Sequence, residues 1–327
     1  MDRVETQVEQ ADGQAAQGAL SNVALLFAGQ GAQHPGMGAE LAACEPAAKA
    51  VFDACDGVRP STSALCFEGS AEELRQTANT QPCMYAMDLA CARALEARGV
   101  RPACVAGFSL GELAALAFAG ALGDAQGFEL VCERARLMDE ACTAHPGSML
   151  AVLKLAPAQV EELAAQAGEA WAVNYNSPAQ TVVAGSVKAL EALAGLVKQA
   201  GGRAMPLAVS GAFHSPYMQA ASDGLRAFLE THPLSAPRID VWANTTGRPY
   251  PADGMERADL LAMQVAHPVR WTDTLQGMAE RGIDTFVEVG PGKVLTGLVK
   301  RTLPDAKALS CETPDDVAAV LAELGLA

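Results

Sequence analysis

"VAGFSLGELAALAFAG" (residues 105–120) places a serine between two glycines, after a short apolar run and before an alanine-rich run of helical character. The pattern is Gly-x-Ser-x-Gly, from Gly107 to Gly111, at a point where a strand should turn sharply into a helix. Such a turn exposes the serine hydroxyl beside a helix N-terminus, which stabilises negative charge. A glycine-rich turn whose serine merely caps the helix would give the same five letters, so the rest of the chain has to decide.

The composition is that of a globular protein with a large apolar core. The chain has 327 residues, of which 50% are hydrophobic, enough for one large domain or two smaller ones. Residues 1–20 are polar and rich in Gln and Ala, and they are predicted to form a disordered or frayed arm rather than a secretion leader. Because no apolar run reaches the roughly 18 residues that span a bilayer, we expect a soluble, cytoplasmic protein without a membrane partner.

The charge and the cysteines argue against two further classes of protein. A net charge of −15, with no cluster of basic residues, disfavours binding to nucleic acid. The nine cysteines are scattered and never in Cys-x-x-Cys spacing, so neither a disulfide framework nor a zinc site is predicted. We expect reduced, packed thiols, no metal ion and no redox cofactor.

The rest of the chain shows two different patterns of predicted strands and helices. Short apolar runs alternate with helical stretches over residues 21–146 and 214–327, which is typical of an α/β unit with a largely parallel sheet. Residues 147–213 instead follow the order strand, helix, strand, strand, helix, strand, the signature of a ferredoxin-like unit. The sequence therefore predicts a large α/β subdomain interrupted by a small ferredoxin-like (βαββαβ) subdomain, with a cleft between them.

A serine nucleophile needs a neighbouring base, and histidine is the residue that most often supplies it. Of the five histidines, His214 in "AVSGAFHSPYM" follows the last strand of the insert, where the chain returns to the large unit and can face the cleft. His145 and His232 precede prolines in turn-like loops and are predicted to lie on the surface. Taken alone, His214 could also be a structural loop residue.

Six motifs, in this order, carry a resemblance to a known family: "FAGQGAQ", "GFSLGE", "ERARLM", "NSPAQTVVAG", "GAFHS" and "VEVGPGKVLTGLVK". From about residue 23 to 303 the chain resembles the malonyl-CoA:acyl carrier protein transacylases, acyltransferases of fatty acid and polyketide synthesis. The resemblance implies a hydrolase-like α/β core with a ferredoxin-like insert. It also implies transfer of malonyl from coenzyme A to the phosphopantetheine thiol of an acyl carrier protein, for fatty acid synthesis.

The resemblance also implies the catalytic groups. Ser109 takes the acyl group as an ester and His214 activates it, so the reaction runs as two half-reactions through an acyl-enzyme. Backbone carbonyl groups, rather than a carboxylate, are implied to steer the histidine. The backbone N–H groups of Gln30 and Leu110 are implied to form the oxyanion hole.

A cation should hold the free carboxylate of a malonyl group. By resemblance this cation is Arg134, whose guanidinium can form two parallel hydrogen bonds with a carboxylate, and Gln264 lines the same region. From the residues alone, Arg134 would be a solvated helix residue paired with a nearby Glu, and Arg136 could be confused with it. Gln264 would likewise be a surface helix residue, and Asn176 part of a turn.

Two aromatic residues bear on the choice of substrate. Phe108 stands where the family usually has histidine, a departure that changes the lining near the acyl group. Phe213, beside the base, resembles the bulky aromatic residue of malonyl-selective members. Malonyl is therefore expected in preference to methylmalonyl, although one methyl group is worth only about 1–3 kcal/mol in an apolar pocket.

The expected partners are a coenzyme A thioester and an acyl carrier protein, bound by a monomer. Since such carriers are acidic, as this chain is, docking requires a local basic rim. The hypothetical rim consists of five cations: Lys188, Lys198, Arg203, Lys300 and Arg301. Two other classes stay open at this point, a serine esterase or thioesterase that uses the same turn and a non-catalytic scaffold that kept the fold.

Overall fold

The computed structural model describes residues 20–209 and 211–327, so nearly all of the arm predicted for residues 1–20 lies outside them. The described strands form two sheets, of six and four strands. The strands are β1 (Leu20–Phe27), β2 (Pro102–Gly107), β3 (Ser148–Leu153), β4 (Ala170–Ser177), β5 (Gln180–Gly185), β6 (Arg203–Pro206), β7 (Asp240–Ala243), β8 (Arg248–Pro249), β9 (Thr285–Val289) and β10 (Lys307–Cys311). The larger sheet has the order β10-β9-β1-β2-β7-β8, and only its β7–β8 pair is antiparallel. The largely parallel sheet expected from the sequence is confirmed.

Helices pack around both sheets. The α-helices of the described residues are α1 (Ala39–Cys44), α2 (Pro46–Val58), α3 (Thr62–Glu68), α4 (Ala71–Arg75), α5 (Thr77–Ala97), α6 (Gly111–Phe118), α7 (Asp124–Ala144), α8 (Pro157–Ala167), α9 (Val187–Gln199), α10 (Gln219–Thr231), α11 (Gly254–Met263), α12 (Trp271–Glu280), α13 (Val294–Thr302) and α14 (Pro314–Glu323). Single 3-10 turns cover Pro216–Met218 and Gln264–Ala266. No helix of the described chain has both the length and the apolar character needed to cross a membrane.

Strand β1 lies inside the larger sheet and is buried on both faces. Val23, Leu25 and Phe27 pack in the main core together with α5. Ala24 and Leu26 pack in a second core with α12 and α13. Because successive strand residues point to opposite faces, this alternation places helices on both sides of the sheet. The carboxyl edge of the parallel strands, where loops lead into helices, is the place that such a sheet offers for a site.

The smaller sheet is built from the chain between β2 and β7. Its order is β4-β5-β3-β6 and all its pairs are antiparallel. Leu150 and Val183 point to one face, where α8 and α9 cover them in a separate apolar core. Met149 and Val182 point to the other face and join the main core of the protein. The smaller unit thus has a core of its own, and its uncovered sheet face turns toward the larger unit.

Asp88 is a buried carboxyl group in the main core. It lies in α5 with no exposed surface, and neither of its side-chain oxygens has a hydrogen-bond partner among the described residues. A β-carbon built on Gly290 would fall 2.0 Å from Asp88 Oδ1, so the carboxyl group fills the space that this glycine leaves. Burial raises the pKa of Asp88 well above its ordinary value, and the nearby Cys91 and Glu288 raise it further.

Asp88 should make the stability of the protein fall as pH rises. The folded state holds this proton more tightly than the unfolded state, so unfolding becomes easier above the unfolded pKa of about 4, by at most about 1.4 kcal/mol per pH unit. Asp88→Asn, which keeps the volume and cannot ionise, is expected to match the parent near pH 4 and to exceed its melting temperature increasingly toward pH 8. Thermal melts of both proteins across this range test the prediction, and a difference that does not change with pH would contradict it.

Candidate active site

The turn between β2 and α6 holds Ser109 in a strained conformation. Its φ is +52°, in the left-handed region that residues other than glycine seldom adopt. The flanking glycines let the strand and the helix approach each other: a β-carbon on Gly107 would lie 1.9 Å from the Gly111 carbonyl carbon, and one on Gly111 would lie 2.3 Å from the Phe27 carbonyl oxygen. The Gly-x-Ser-x-Gly spacing is therefore a packing requirement, and its result is a serine raised above the sheet edge.

Ser109 and His214 form a hydrogen-bonded pair. The distance from Ser109 Oγ to His214 Nε2 is 2.7 Å, and His214 Nδ1 lies 2.9 Å from the backbone oxygen of Gln264. Since that carbonyl can only accept, Nδ1 carries the proton and Nε2 is left to accept the serine proton. The backbone of His214, with φ +61°, is held by donation of its N–H to the Val265 carbonyl at 2.9 Å.

The histidine is neutral at physiological pH. It is 3% exposed, and its pKa is lowered to about 4, first by burial and then by the positive charge of Arg134. Hydrogen bonds to backbone carbonyls act in the opposite direction and are outweighed. A neutral imidazole facing a serine hydroxyl is the protonation state that a general base requires.

The two predicted oxyanion donors belong to different segments, the loop after β1 and the turn that holds the serine. Gln30 and Ser109 line the same pocket, and Leu110 follows the serine at the start of α6. Neither the Gln30 nor the Leu110 backbone N–H donates a hydrogen bond to any described residue. Gly29 is required beside them, because a β-carbon there would lie 2.9 Å from the Phe108 carbonyl oxygen. Gln30 belongs to the pocket lining, whereas Leu110 is fully buried and does not, so the oxyanion hole stays a prediction.

Arg134 is buried beside the serine. It is 1% exposed, and its Nη2 donates to Ser109 Oγ at 3.1 Å and to Gln264 Oε1 at 2.9 Å. Its Nη1 donates to Gln81 Oε1, and its Nε has no partner among the described residues. Burial lowers the pKa of Arg134 to about 10, so the guanidinium is charged at neutral pH.

The structure separates the two arginines that the sequence leaves ambiguous. Arg136 is exposed and forms ion pairs with Glu133 and Glu140 on the surface of α7. The surface pairing considered for Arg134 therefore belongs to Arg136. Gln264, for which the residues alone suggest a surface position, is 1% exposed and lies in the 3-10 turn that follows α11.

The serine opens into a pocket of about 300 Å³ between the two sheets. The face of the smaller sheet that turns toward the larger unit, together with the segment after β6, forms one wall, through Met149, Asn174, Val182 and Leu207. The pocket is also lined by side chains of the larger unit, among them Phe108, Phe213, Leu298 and Arg301. The cleft expected between the two units is therefore present, with Ser109 in its lining.

Phe108 and Asn176 take positions that the sequence does not specify. Phe108 packs edge-on against Trp271, with ring centroids 5.2 Å apart, and forms part of the pocket lining. Asn176 lies within β4 rather than in a turn, and it is buried with its Oδ1 unpaired among the described residues. The turn prediction for Asn176 is wrong, because β4 continues to Ser177 before the chain reverses.

Two residues that sequence reasoning did not single out hold the strained turn. Asn244, after β7, accepts a hydrogen bond from the Ser109 backbone N–H at 2.7 Å and donates one to the Gly107 carbonyl at 2.6 Å. Glu112 accepts from Gln264 Nε2 at 2.9 Å, and the same Nε2 donates to the Ser109 carbonyl at 2.6 Å. The signal for Glu112 was its place at the end of "GFSLGE", whereas nothing in the sequence links Asn244 to the turn.

The five cations of the hypothetical rim do not lie together. Lys188 and Lys198 belong to α9, which covers the face of the smaller sheet opposite the pocket. Arg301 lines the pocket, Lys300 is its exposed neighbour on α13, and Arg203 lies on the edge strand β6. The prediction of a single rim of five cations is therefore wrong. Of the five, Arg301 and its sequence neighbour Lys300 are the ones at the pocket.

The cysteines of the protein are reduced thiols. All nine cysteines are free, and seven of them are buried. Within residues 20–209 and 211–327, no group of three or more His, Cys, Asp or Glu side chains is placed to hold a metal ion.

The fold and the site together define an α/β protein with a serine hydrogen-bonded to a histidine at the edge of its parallel sheet. Residues 24–319 match the family model described as an acyl transferase domain. The chain belongs to this acyltransferase family, as its six sequence motifs predict, and it is an acyltransferase.

Three proteins that are similar to this chain are all malonyl transacylases. The chain is 38% identical over 308 residues to the malonyl CoA-acyl carrier protein transacylase of Bacillus subtilis, covering 91% of this chain and 96% of that protein. The crystal structure of the corresponding transacylase from Clostridium perfringens has a TM-score of 0.89 at 35% identity, with 93% of this chain and 97% of that chain covered. A malonyl-transacylase solved in complex with its type II polyketide acyl-carrier protein has a TM-score of 0.88 at 34% identity, with 92% and 99% covered.

Proposed function

We propose that the protein transfers a malonyl group from malonyl-CoA to the phosphopantetheine thiol of an acyl carrier protein, through an ester on Ser109. The observation that carries the proposal is the double contact of one oxygen: Ser109 Oγ lies 2.7 Å from the base nitrogen of His214 and 3.1 Å from the buried guanidinium of Arg134. A hydrolase acting on uncharged esters has no use for that cation. The names of the relatives, and the carrier protein in one solved complex, support the same reaction.

In the first half-reaction, His214 Nε2 takes the proton of Ser109 as Oγ attacks the thioester carbonyl. The carbonyl oxygen becomes negative and turns to the backbone N–H groups of Gln30 and Leu110, each worth about 3 kcal/mol of barrier in such sites. When the carbon–sulfur bond breaks, the imidazolium returns its proton to the sulfur, and coenzyme A leaves as a thiol. The second half-reaction repeats these steps with the carrier thiol, which attacks the ester and releases Ser109.

Arg134 selects the acyl group in this proposal. A malonyl carboxylate can take hydrogen bonds from the guanidinium, whose Nε has no partner among the described residues. Gln264 holds the guanidinium from the other side at 2.9 Å. Phe108 and Phe213 narrow the lining beside the acyl group and disfavour a branched chain, which supports malonyl over methylmalonyl.

The finer structural assignments belong to the same proposal. We assign residues 147–213 to a ferredoxin-like subdomain, and residues 21–146 with 214–327 to a hydrolase-like subdomain. The antiparallel order β4-β5-β3-β6 and the six-stranded sheet support these assignments. A monomeric, cytoplasmic enzyme that needs no cofactor beyond its coenzyme A substrate stays a prediction.

Intact mass after brief mixing with malonyl-CoA tests the proposed function. The parent should gain one malonyl group, Ser109→Ala should gain none, and the parent adduct should disappear when a phosphopantetheinylated carrier protein is added. Release of free malonate without an adduct would identify a thioesterase instead. No reaction with malonyl-CoA at all would point to a scaffold or to another acyl donor.

Lys300 offers a test of carrier docking. Reversal of its charge, Lys300→Glu, is expected to raise the KM for the carrier protein about three- to tenfold, because a charge at the rim of an interface steers an acidic partner. The KM for malonyl-CoA should change much less. Lys198→Glu is the matched control, since Lys198 is also exposed but lies on the helix that covers the far face of the smaller sheet. Equal carrier KM values for both variants would remove Lys300 from the docking surface.

A further inference from the structure

Directly behind the nucleophile lies a buried carboxyl group that the proposed reaction does not use. Glu112 is three residues after Ser109 in α6 and is 1% exposed. Its Oε1 accepts from the Tyr250 hydroxyl, and its Oε2 accepts from the Asn244 backbone N–H at 3.2 Å and from Gln264 Nε2 at 2.9 Å. Three donors converge on one carboxyl group, so its surroundings are built to accommodate an acceptor.

Gln264 connects this carboxyl group to the buried arginine. Its Nε2 is turned toward Glu112, and its Oε1 accepts from Arg134 Nη2 at 2.9 Å. The other hydrogen-bond partners of Arg134 among the described residues are Gln81 and Ser109, which are neutral. The charge of Glu112 acts on Arg134 across the Gln264 amide, and each group favours the charged form of the other.

We propose that Glu112 is a positioning residue that sets how strongly Arg134 holds the carboxylate of the acyl group, because it is the counter-charge of the guanidinium before substrate binds. The inference rests on the proposed function. A malonyl carboxylate brings a second negative charge to a single buried cation, and the two carboxylates repel each other. A proton taken from the solvent by Glu112 relieves the repulsion, so carboxylate binding is coupled to proton uptake.

The surroundings of Glu112 allow this proton to move near neutral pH. Burial raises the pKa of Glu112 to about 7, although Tyr250, Gln264, Asn244 and Arg134 all act to lower it. The titratable groups that face this region titrate elsewhere: the pKa of His214 is about 4, that of Arg134 is about 10, and burial raises that of Tyr250 well above its ordinary value. Between pH 6 and 8, Glu112 is therefore the member of this group whose charge changes.

The test compares a charged with an uncharged acyl donor. Initial rates of Ser109 acylation by malonyl-CoA and by acetyl-CoA are measured from about pH 6 to about pH 8, and their ratio is plotted against pH. The ratio cancels effects on His214 and on the coenzyme, which both donors share. For the parent, we expect the malonyl-to-acetyl ratio to fall about five- to tenfold as Glu112 ionises and opposes the incoming carboxylate.

Glu112→Gln keeps the hydrogen bonds and removes the charge. Its amide oxygen can accept from Gln264 and Asn244, and its NH₂ group can donate to the Tyr250 oxygen. The ratio for this variant is expected to stay constant with pH, near the value that the parent has at about pH 6. Tyr250→Phe, which removes a donor from Glu112, should shift the fall of the ratio to higher pH.

Glu133→Gln is the matched control, because it removes a carboxylate next to Arg134 in sequence that faces the surface and pairs with Arg136. It should reproduce the parent curve. A Glu112→Gln curve with the slope of the parent, or rates reduced by one common factor for both donors, would overturn the inference and leave Glu112 a structural residue. Absence of acylation by either donor in the parent would overturn the proposed function, and this inference with it.

Discussion

Replacement of His214 by alanine is expected to slow acylation of Ser109 by malonyl-CoA about 10⁴-fold or more, since serine is a weak nucleophile without its base. The Nε2 atom at 2.7 Å is positioned to take the serine proton, and we find no second base within hydrogen-bond distance of Oγ among the described residues. Rapid-quench mass spectrometry of the acyl-enzyme measures the rate directly. Arg134, the other contact of Oγ, can only donate and cannot replace the histidine.

The pH dependence of the acylation rate is a second test of His214 as the base. Because the pKa of His214 is lowered to about 4, the imidazole stays neutral well into the acid range. Below about pH 6, where Glu112 is protonated, the parent rate should therefore hold to near pH 5 and fall only as pH approaches about 4, where protonation fills the Nε2 lone pair. A melting curve shows whether His214→Ala stays folded. A loss of less than tenfold in a folded variant, or an acid limb near pH 6.5, would contradict the assigned role.

Replacement of Arg134 by alanine is expected to lower acylation by malonyl-CoA about 10³-fold and acylation by acetyl-CoA less than about tenfold. The cost arises because a buried carboxylate would lose its charged partner, a loss of several kcal/mol in closed sites. The smaller effect on acetyl-CoA comes from the lost contact with Ser109 Oγ at 3.1 Å. Parallel acylation assays with the two donors measure both losses.

Two further variants make the arginine experiment decisive. Arg136→Ala removes a guanidinium from the same helix at an exposed position and should change neither rate. Arg134→Lys should recover only part of the malonyl rate, because one ammonium cannot reach Gln81, Gln264 and the acyl carboxylate together. If Arg134→Ala reduced the acylation rates with both donors by the same factor, Arg134 would stabilise the turn at Ser109 and would not select the acyl group.

Much of the fold could be predicted from local patterns in the sequence. The elbow at Ser109 is visible because glycines must flank it where strand and helix touch, and the alternation of β1 follows from burial on both faces. The order of the inserted strands and helices could likewise be read from short apolar runs. The sequence analysis did not single out strand β10 and helix α14, since β10 is a five-residue edge strand of which only the last residue is fully buried.

The site was predicted where a residue lies inside a motif, and missed where long-range contacts decide. Arg134 could be chosen over Arg136 only through its distance from the elbow in the family pattern, because both lie on one helix and only the packing of α7 buries one of them. Asn244 is 135 positions from the serine whose N–H it accepts, so no local pattern reveals it. Lys188 was predicted to lie on a common rim because cations are scarce and it is close in sequence to cleft motifs, but its helix covers the face of the smaller sheet opposite the pocket.

His214 and the opposite wall of the pocket lie in different units of the chain. His214 is fixed to the larger unit by two hydrogen bonds of 2.9 Å, to the carbonyls of Val265 and Gln264. The opposing wall, with Met149 and Val182, belongs to a sheet that has a core of its own. Met149 and Val182, however, point away from that separate core and belong to the same apolar core as Phe213, the neighbour of His214. A change of side-chain volume at either position is therefore expected to act on the pocket and on the segment that carries His214 together.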